Sequence, residues 1–335
     1  MAILTVNKGS SSIKVSLFKE GHQSYFVDTK EKTLDEILDE LKGHEIEAVG
    51  HRVVHGGAKY LKPTRITEEI FSDLKKVVSF DPLHLPPQLE GIEMMQKRFP
   101  KTPQVACFDT AFHRTIPKVA KTFAIPNRYY DEGIYRYGFH GLSYEYIMHK
   151  LGNPSGRLII AHLGSGASMA AVRDGHCVDT TMGFTSSSGL VMSTRAGDLD
   201  PGLLVFLEIE KGLSAEDIRM MINRESGLKG ISMMTGDMKE LLESDNQLAA
   251  LAVEIFCYQA KKYIGALAAV LGGADMLVFT GGIGENSQCI REKITRGIEF
   301  LNIENILTIR TDEEFMIARH TNQLINKEKK SWARS

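Results

Sequence analysis

AILTVNKGSSSIKVSLF, residues 2–18, sets the fold class of this chain. Residues 2–6 form a short β-rich apolar run, residues 7–12 are polar around one glycine, and residues 13–18 are apolar again. The pattern predicts a buried strand, a turn and a second strand, together a hairpin with a glycine-containing tip. The tip carries the Asn7 amide, the hydroxyls of Ser10, Ser11 and Ser12, and two lysines, Lys8 and Lys14. Backbone N–H groups at such a turn can point at phosphate oxygens, and hydroxyls add donors. The same residue types also populate solvated turns for conformational reasons alone, so the hairpin by itself leaves both readings open.

Outward from the hairpin, Leu34, Ile37, Leu38 and Leu41 fall on one face at helical spacing. Thr33 with Glu36 forms a capping-box pattern and Gly43 supplies a stop. Residues 158–163 and 276–280 are further short apolar β-rich runs, each ending in glycines, Gly164-Ser165-Gly166 and Gly281-Gly282-Ile283-Gly284. Residues 248–271 predict a long buried helix closed by Gly272-Gly273. Strands followed by helices throughout imply an α/β protein, and 335 residues suit two domains better than one core. No internal sequence repeat is visible.

A net charge of −2 supplies no basic field for nucleic acid or an anionic membrane, so neither is expected as a partner. The four cysteines are widely spaced and form no metal-site or disulfide pattern. The apolar start is too short for a signal-peptide core, and Glu254, Lys261 and Lys262 interrupt the longest apolar stretch, which argues against a membrane span. A cytoplasmic location is expected.

Three glycine-bearing loops, each after a strand, favour a phosphate-bearing ligand over three independent packing accidents. The chain has no GxxxxGK[ST], GxGxxG, HRD or DFG segment, so the P-loop, dinucleotide-binding and protein-kinase readings fall away. Arg52, Asp109, His140 and Arg195 are charged or titratable groups in apolar or glycine-rich settings. Phosphoryl transfer uses this kit, because the migrating group spreads negative charge over oxygens that Arg, His and Mg²⁺ stabilise. Each residue alone is equally at home in a structural pairing.

Taken in order, VNKGSSSIK, GHRVVHGG, FDTAFHRTIP, YGFHG, HLGSGAS, DTTMGFT, STRAGDLDPG, SGLKGIS, FTGGIGENS and TDEEFMIAR resemble the acetate kinase family of the sugar kinase, heat-shock protein and actin superfamily. The resemblance implies two ribonuclease-H-like (actin-like ATPase) domains with an interdomain cleft, residues 1–111 plus 315–335 and residues 112–314. It implies reversible ATP-dependent phosphorylation of a short carboxylate, acetate first, with propionate or another small acid as the alternative.

It further implies that Asn7 and Glu313 help hold Mg²⁺ and that Ser10, Ser12 and Lys14 line the phosphate hairpin. Asp109 would orient or deprotonate the carboxylate nucleophile, Arg52 and Arg195 would bind the carboxylate and the migrating group, and His140 would donate to that group. Val54, Leu83, Phe139 and Ser186 would surround the acyl group. The ATP or ADP would lie on His162, Leu163, Gly164, Ser165 and Gly166, on Asp237, Met238 and Lys239, and on Gly282, Ile283, Gly284, Glu285 and Asn286. Family members are commonly homodimers, so a homodimer is expected.

The chain departs from the family pattern at Lys8, where alanine is usual and where an extra cation beside the phosphates is expected. It departs also at Ser165 and Leu85, where asparagine is usual, at Lys239, where arginine is usual, and at Ser186-Ser187-Ser188, where the usual segment supplies an apolar wall of the acyl pocket. A regulatory nucleotide-binding relative without rapid chemistry is a second reading, motivated by that altered pocket. A hydroxyl-directed kinase is a third, which leaves the paired arginines unexplained.

Overall fold

The computed structural model describes residues 1–9 and 12–332. The chain divides into two compact units, residues 1–114 with 140–146 and 312–335, and residues 115–139 with 147–311.

The first unit is built on β1 (Ala2–Lys8), β2 (Ile13–Lys19), β3 (His22–Thr29), β4 (Ala48–Val53), β5 (Thr64–Arg65) and β6 (Gln104–Phe108). Among the described residues they form one sheet in the order β3-β2-β1-β4-β6-β5. The first three strands meander antiparallel, and β4 and β6 then add parallel to β1. Residues of β1 alternate between two cores, as a strand covered on both faces requires. Leu4 and Val6 join Leu34, Ile37, Leu38 and Met95 on one side, and Ile3 joins Met316, Ile317 and Ile325 on the other. The last three belong to the helix Glu313–Trp332, which lies close over β4. A Cβ on Gly50 would sit 2.4 Å from Thr321 Oγ1 and 2.6 Å from an Ile317 methyl, so glycine permits the approach. The helix Leu34–Glu40 starts at Thr33, whose hydroxyl accepts from Glu36 N while Glu36 accepts from Thr33 N, the reciprocal cap expected from the sequence.

The first turn is shorter than expected. Asn7 and Lys8 belong to β1, not to the turn, because Asn7 pairs with Lys14 and Lys8 with Ile13 in the ladder. Between the two strands Gly9 N donates to Ser12 O at 2.8 Å. Ser10 lies outside the described residues.

The second unit carries β7 (Arg157–Leu163), β8 (Ala167–Arg173), β9 (His176–Thr180), β10 (Met276–Thr280) and β11 (Asn305–Thr308). Their order is β9-β8-β7-β10-β11, again a meander followed by two parallel strands. This is the ribonuclease-H-like order of the first unit without its extra edge strand β5. The repeat that the sequence hides is therefore one of topology, since strand pairing needs a hydrophobic pattern and not particular side chains. The helix Gln247–Leu271 buries Val253, Phe256, Ile264 and Leu267 and ends on left-handed Gly272. Among the described residues no helix is long and apolar enough to cross a membrane.

Candidate active site

Parallel strands in an α/β sheet present ligand-binding groups at their carboxyl ends. In the first unit β1, β4 and β6 end at or beside Asn7, Arg52 and Asp109. Arg52 donates from Nε and Nη2 to Asp109 Oδ2 at 3.0 and 2.6 Å, and from Nη1 to Asn7 Oδ1 at 3.2 Å. Glu313 Oε2 stands 3.8 Å from Arg52 Nε. The Asn7 Nδ2 donates to Glu314 Oε1 at 3.2 Å, a residue that sequence reasoning missed. Both glutamates open the helix Glu313–Trp332, and consecutive helix positions differ in direction by about 100°, so pattern alone could not choose between them.

Two carboxylates, Asp109 and Glu313, thus face one guanidinium, and a third, Glu314, lies on the far side of Asn7. Asp109 is fully buried and its Oδ1 has no hydrogen-bond partner. Burial pushes its pKa up to about 6; the Arg52 charge opposes the rise and Glu313 adds to it. Glu314 is also raised, by burial first and then by Glu313, with the Lys14 charge working the other way. Burial alone would lower the Arg52 pKa, but Asp109 and Glu313 outweigh it and hold the guanidinium above its ordinary range. The histidines flanking Arg52 are scaffold: His51 Nε2 meets Gln104 Oε1 at 2.8 Å and His55 Nδ1 accepts from Gly57 N. Burial pushes both down to about 4, so they are neutral at pH 7.

His140 is brought beside Asp109 by the backbone. It adopts left-handed φ of 59°, and Gly141 N donates to Asp109 O at 2.9 Å. A Cβ on Gly141 would lie 2.0 Å from that oxygen, so only glycine fits there. A left-handed non-glycine residue costs roughly 1–3 kcal/mol and is tolerated where surrounding structure imposes it. Val54 N donates to Gln88 Oε1 at 2.7 Å, and partly buried Leu83 precedes the helix Leu85–Arg98 that carries Gln88.

Lys8 corrects an expectation. Its amine pairs with Glu90 at 3.1 Å, because its place on β1 turns it toward the helix Leu85–Arg98. Lys14 Nζ lies 3.6 Å from Asp28 on the neighbouring strand.

In the second unit the expected nucleotide segments are linked to one another. Gly164 N donates to Gly166 O at 3.0 Å, and a Cβ on Gly164 would be 3.8 Å from Gly282 N. Ser193 N donates to Ser165 O and Ser193 Oγ to Gly236 O, which ties the loop before Asp237 to the glycine hairpin. His162 pairs with Thr280 across the parallel strands, with Leu163 buried beside it.

Several of these residues carry scaffold contacts. Glu285 Oε1 accepts from Thr280 Oγ1, Gly281 N and Thr311 N, and Asn286 Nδ2 donates to Gly282 O, so both brace the turn holding Ile283 and Gly284. Asp237 caps the helix Met238–Glu243, Met238 is buried, and Lys239 is exposed toward Glu243. Arg195 Nη1 donates to Ser186 O at 2.7 Å. Ser186 is buried, as is Phe139, which follows Gly138 N donating to Gly183 O.

The oxygen-rich set of Asn7, Glu313 and Glu314, with the orphan Asp109 Oδ1 nearby, fits a hard divalent cation. Among the described residues no group of three or more His, Cys, Asp or Glu is arranged to hold a metal ion.

The Acetokinase family profile matches residues 22–331. The acetate kinase of Methylocella silvestris is 47% identical over 307 residues, covering 84% of this chain and 76% of its own. Among solved structures, a propionate kinase from Francisella tularensis has a TM-score of 0.89 at 34% identity, covering 96% of this chain and 99% of that one. The acetate kinase of Porphyromonas gingivalis has a TM-score of 0.86 at 34% identity, covering 97% and 99%.

Proposed function

The chain belongs to the acetokinase family, and from that premise we propose that it transfers the terminal phosphoryl group of ATP to a short carboxylate, reversibly giving ADP and an acyl phosphate. A carboxylate oxygen forms the new bond to phosphorus, and the bond from phosphorus to the bridging oxygen of ADP breaks, its electron pair leaving with ADP. The observation that carries the reading is the Arg52–Asp109–Asn7 constellation at the ends of three parallel strands.

Arg52 has five N–H donors, of which three are used on Asp109 and Asn7. Two remain to bind carboxylate or phosphoryl oxygen. Asp109 sets the plane of that guanidinium, and its buried charge keeps Arg52 from rotating away. A carboxylate substrate is already ionised at pH 7, so orientation is the larger part of the Asp109 role. Arg195, held by the Ser186 carbonyl, supplies the second guanidinium, and His140 a donor to the migrating group. The glycine segments around Gly164 and Gly282 hold the nucleotide phosphates. Mg²⁺, carried with the nucleotide on Asn7 and Glu313 or Glu314, would neutralise phosphate charge.

Acetate is the first choice of acid and propionate the second. Where Ser186 stands, an apolar wall would have added contact with the acyl carbon, and such contact is worth only about 1–3 kcal/mol of discrimination. Hydroxamate detection of acyl phosphate over a panel of formate, acetate, propionate, butyrate and glycolate, with ATP and Mg²⁺, is the test. Acetate or propionate should give the highest kcat/KM, and no acyl phosphate from any acid would leave the regulatory reading in its place.

A homodimer belongs to the same proposal. The helix Pro201–Lys211 buries none of its residues and leaves Val205, Phe206 and Ile209 exposed, Ile209 by 71%, and clustered apolar exposure of this kind marks association surfaces. The solution mass should be that of two chains and should fall to one in Ile209→Asp. A cytoplasmic location is supported by Cys107, Cys177, Cys257 and Cys289, all free thiols, which suit a reducing compartment.

A further inference from the structure

We propose that Tyr263 is a positioning residue that fixes the loop carrying Arg195 against the helix Gln247–Leu271. The proposal rests on the reading of Arg195 as a substrate-binding group. The Tyr263 hydroxyl donates to Asp198 Oδ2. Asp198 Oδ1 accepts from Gly189 N at 2.7 Å, while Asp198 N donates to Gly189 O at 3.0 Å and Gly197 N to Ser187 O at 3.1 Å. One carboxylate therefore joins the helix to both ends of the segment 189–198, and Arg195 lies inside that segment.

The two ends approach closely. A Cβ on Gly197 would lie 2.6 Å from Gly189 O, and both glycines have positive φ, 88° at Gly189 and 75° at Gly197. A backbone folded this tightly behaves as one piece, so a restraint on Asp198 is passed to Arg195 and to the Ser186 carbonyl it holds.

Packing does not supply that restraint. Ser188 and Asp198 share with Tyr263, Leu267 and Val270 the lining of a cavity of about 170 Å³. Side chains across a gap lose their dispersion contacts and transmit little steric force. Neighbouring polar groups are committed elsewhere: Arg136 donates to the carbonyls of Ala120, Thr180, Thr181 and Met182, and Asp179 Oδ1 accepts from Thr180 N. Burial and the Asp198 charge raise the Tyr263 phenol well above its ordinary range, so it remains a donor across the working pH range.

Tyr263→Phe removes the bond and keeps the ring. The expected result is faster hydrogen exchange of amides 187–198 and a kcat for acyl phosphate formation lower by about tenfold, the scale of a small misplacement of a reacting group. The KM for ATP and the melting temperature should stay close to wild type, which a merely structural role would not spare. Asp198→Asn with Tyr263 intact should keep most of the wild-type kcat, because its amide oxygen still accepts from Gly189 N and its NH2 can donate to the Tyr263 oxygen. Unchanged exchange in Tyr263→Phe overturns the proposal, and so does faster exchange with unchanged kcat. If the wild type forms no acyl phosphate while the variant still loosens amides 187–198, the brace stands and the functional reading of Arg195 fails.

Discussion

Asp109→Asn lowers turnover by about a thousandfold, the scale of losing one well-placed electrostatic group, and leaves nucleotide affinity within about twofold. The amide is nearly the shape of the carboxylate, and its oxygen can still accept from Arg52, as Asp109 Oδ2 does at 3.0 and 2.6 Å. What is lost is the charge that fixes the guanidinium plane. The wild type adds a second readout. With the folded pKa pushed up to about 6 from an ordinary 3.8, the carboxyl is protonated below that value. The kcat/KM for the carboxylate, corrected for the acid's own titration, should therefore fall on acidification through about pH 6.

Stability moves in the opposite sense. A raised carboxyl pKa means that the folded chain holds a proton the unfolded chain has released. This contribution is fully present below about pH 4 and is lost as pH rises through about 6. Urea midpoints measured between pH 4 and 7 should show this slope in the wild type and a shallower one in Asp109→Asn. Undiminished turnover in the variant would remove Asp109 from the mechanism, and parallel slopes would remove it from the titration.

Arg52→Ala should cost both activity and fold. The guanidinium stands between Asp109, Asn7 and Glu313, and it is the cation whose charge acts most strongly on Asp109. Removing one partner from a buried ion pair costs roughly 3–5 kcal/mol, because the remaining charge is left without compensation. Turnover should drop below detection, since the variant loses the substrate-facing donors and the partner of Asp109 together. The stability loss should be largest near pH 8 and shrink toward pH 5, because protonation removes the uncompensated carboxylate charge. Chemical denaturation at these two pH values checks the prediction. An equal loss at both would mean that packing of the arginine stem, and not charge, accounts for the effect.

Much of the fold was legible because it depends on neighbours in sequence. The hairpin of residues 2–18, the Thr33 cap, the strand of residues 276–280 and the helix ending at Gly272 are local patterns of apolar period and turn chemistry, and they stand where the pattern put them. The error at Asn7 and Lys8 was also local. Polar residues read as turn, but the antiparallel ladder continued through them because Lys14 and Ile13 were there to pair. The duplicated sheet order was not legible, since two units can share a strand order with few residues in common.

The candidate site divides along a similar line. Motif chemistry could name Arg52, Asp109, His140 and Arg195 as groups worth explaining, because residue type and flanking glycines are properties of the chain itself. It could not show that Asn7 meets Glu314 from 307 positions away, that Lys8 turns to Glu90, that burial lifts Asp109 toward pH 6, or that Tyr263 reaches Asp198. Element type follows from short-range periodicity and backbone sterics. Pairing, desolvation and the pKa shifts they cause depend on which distant segments the packed sheets bring within a few ångströms, and that distance has no signature along the chain.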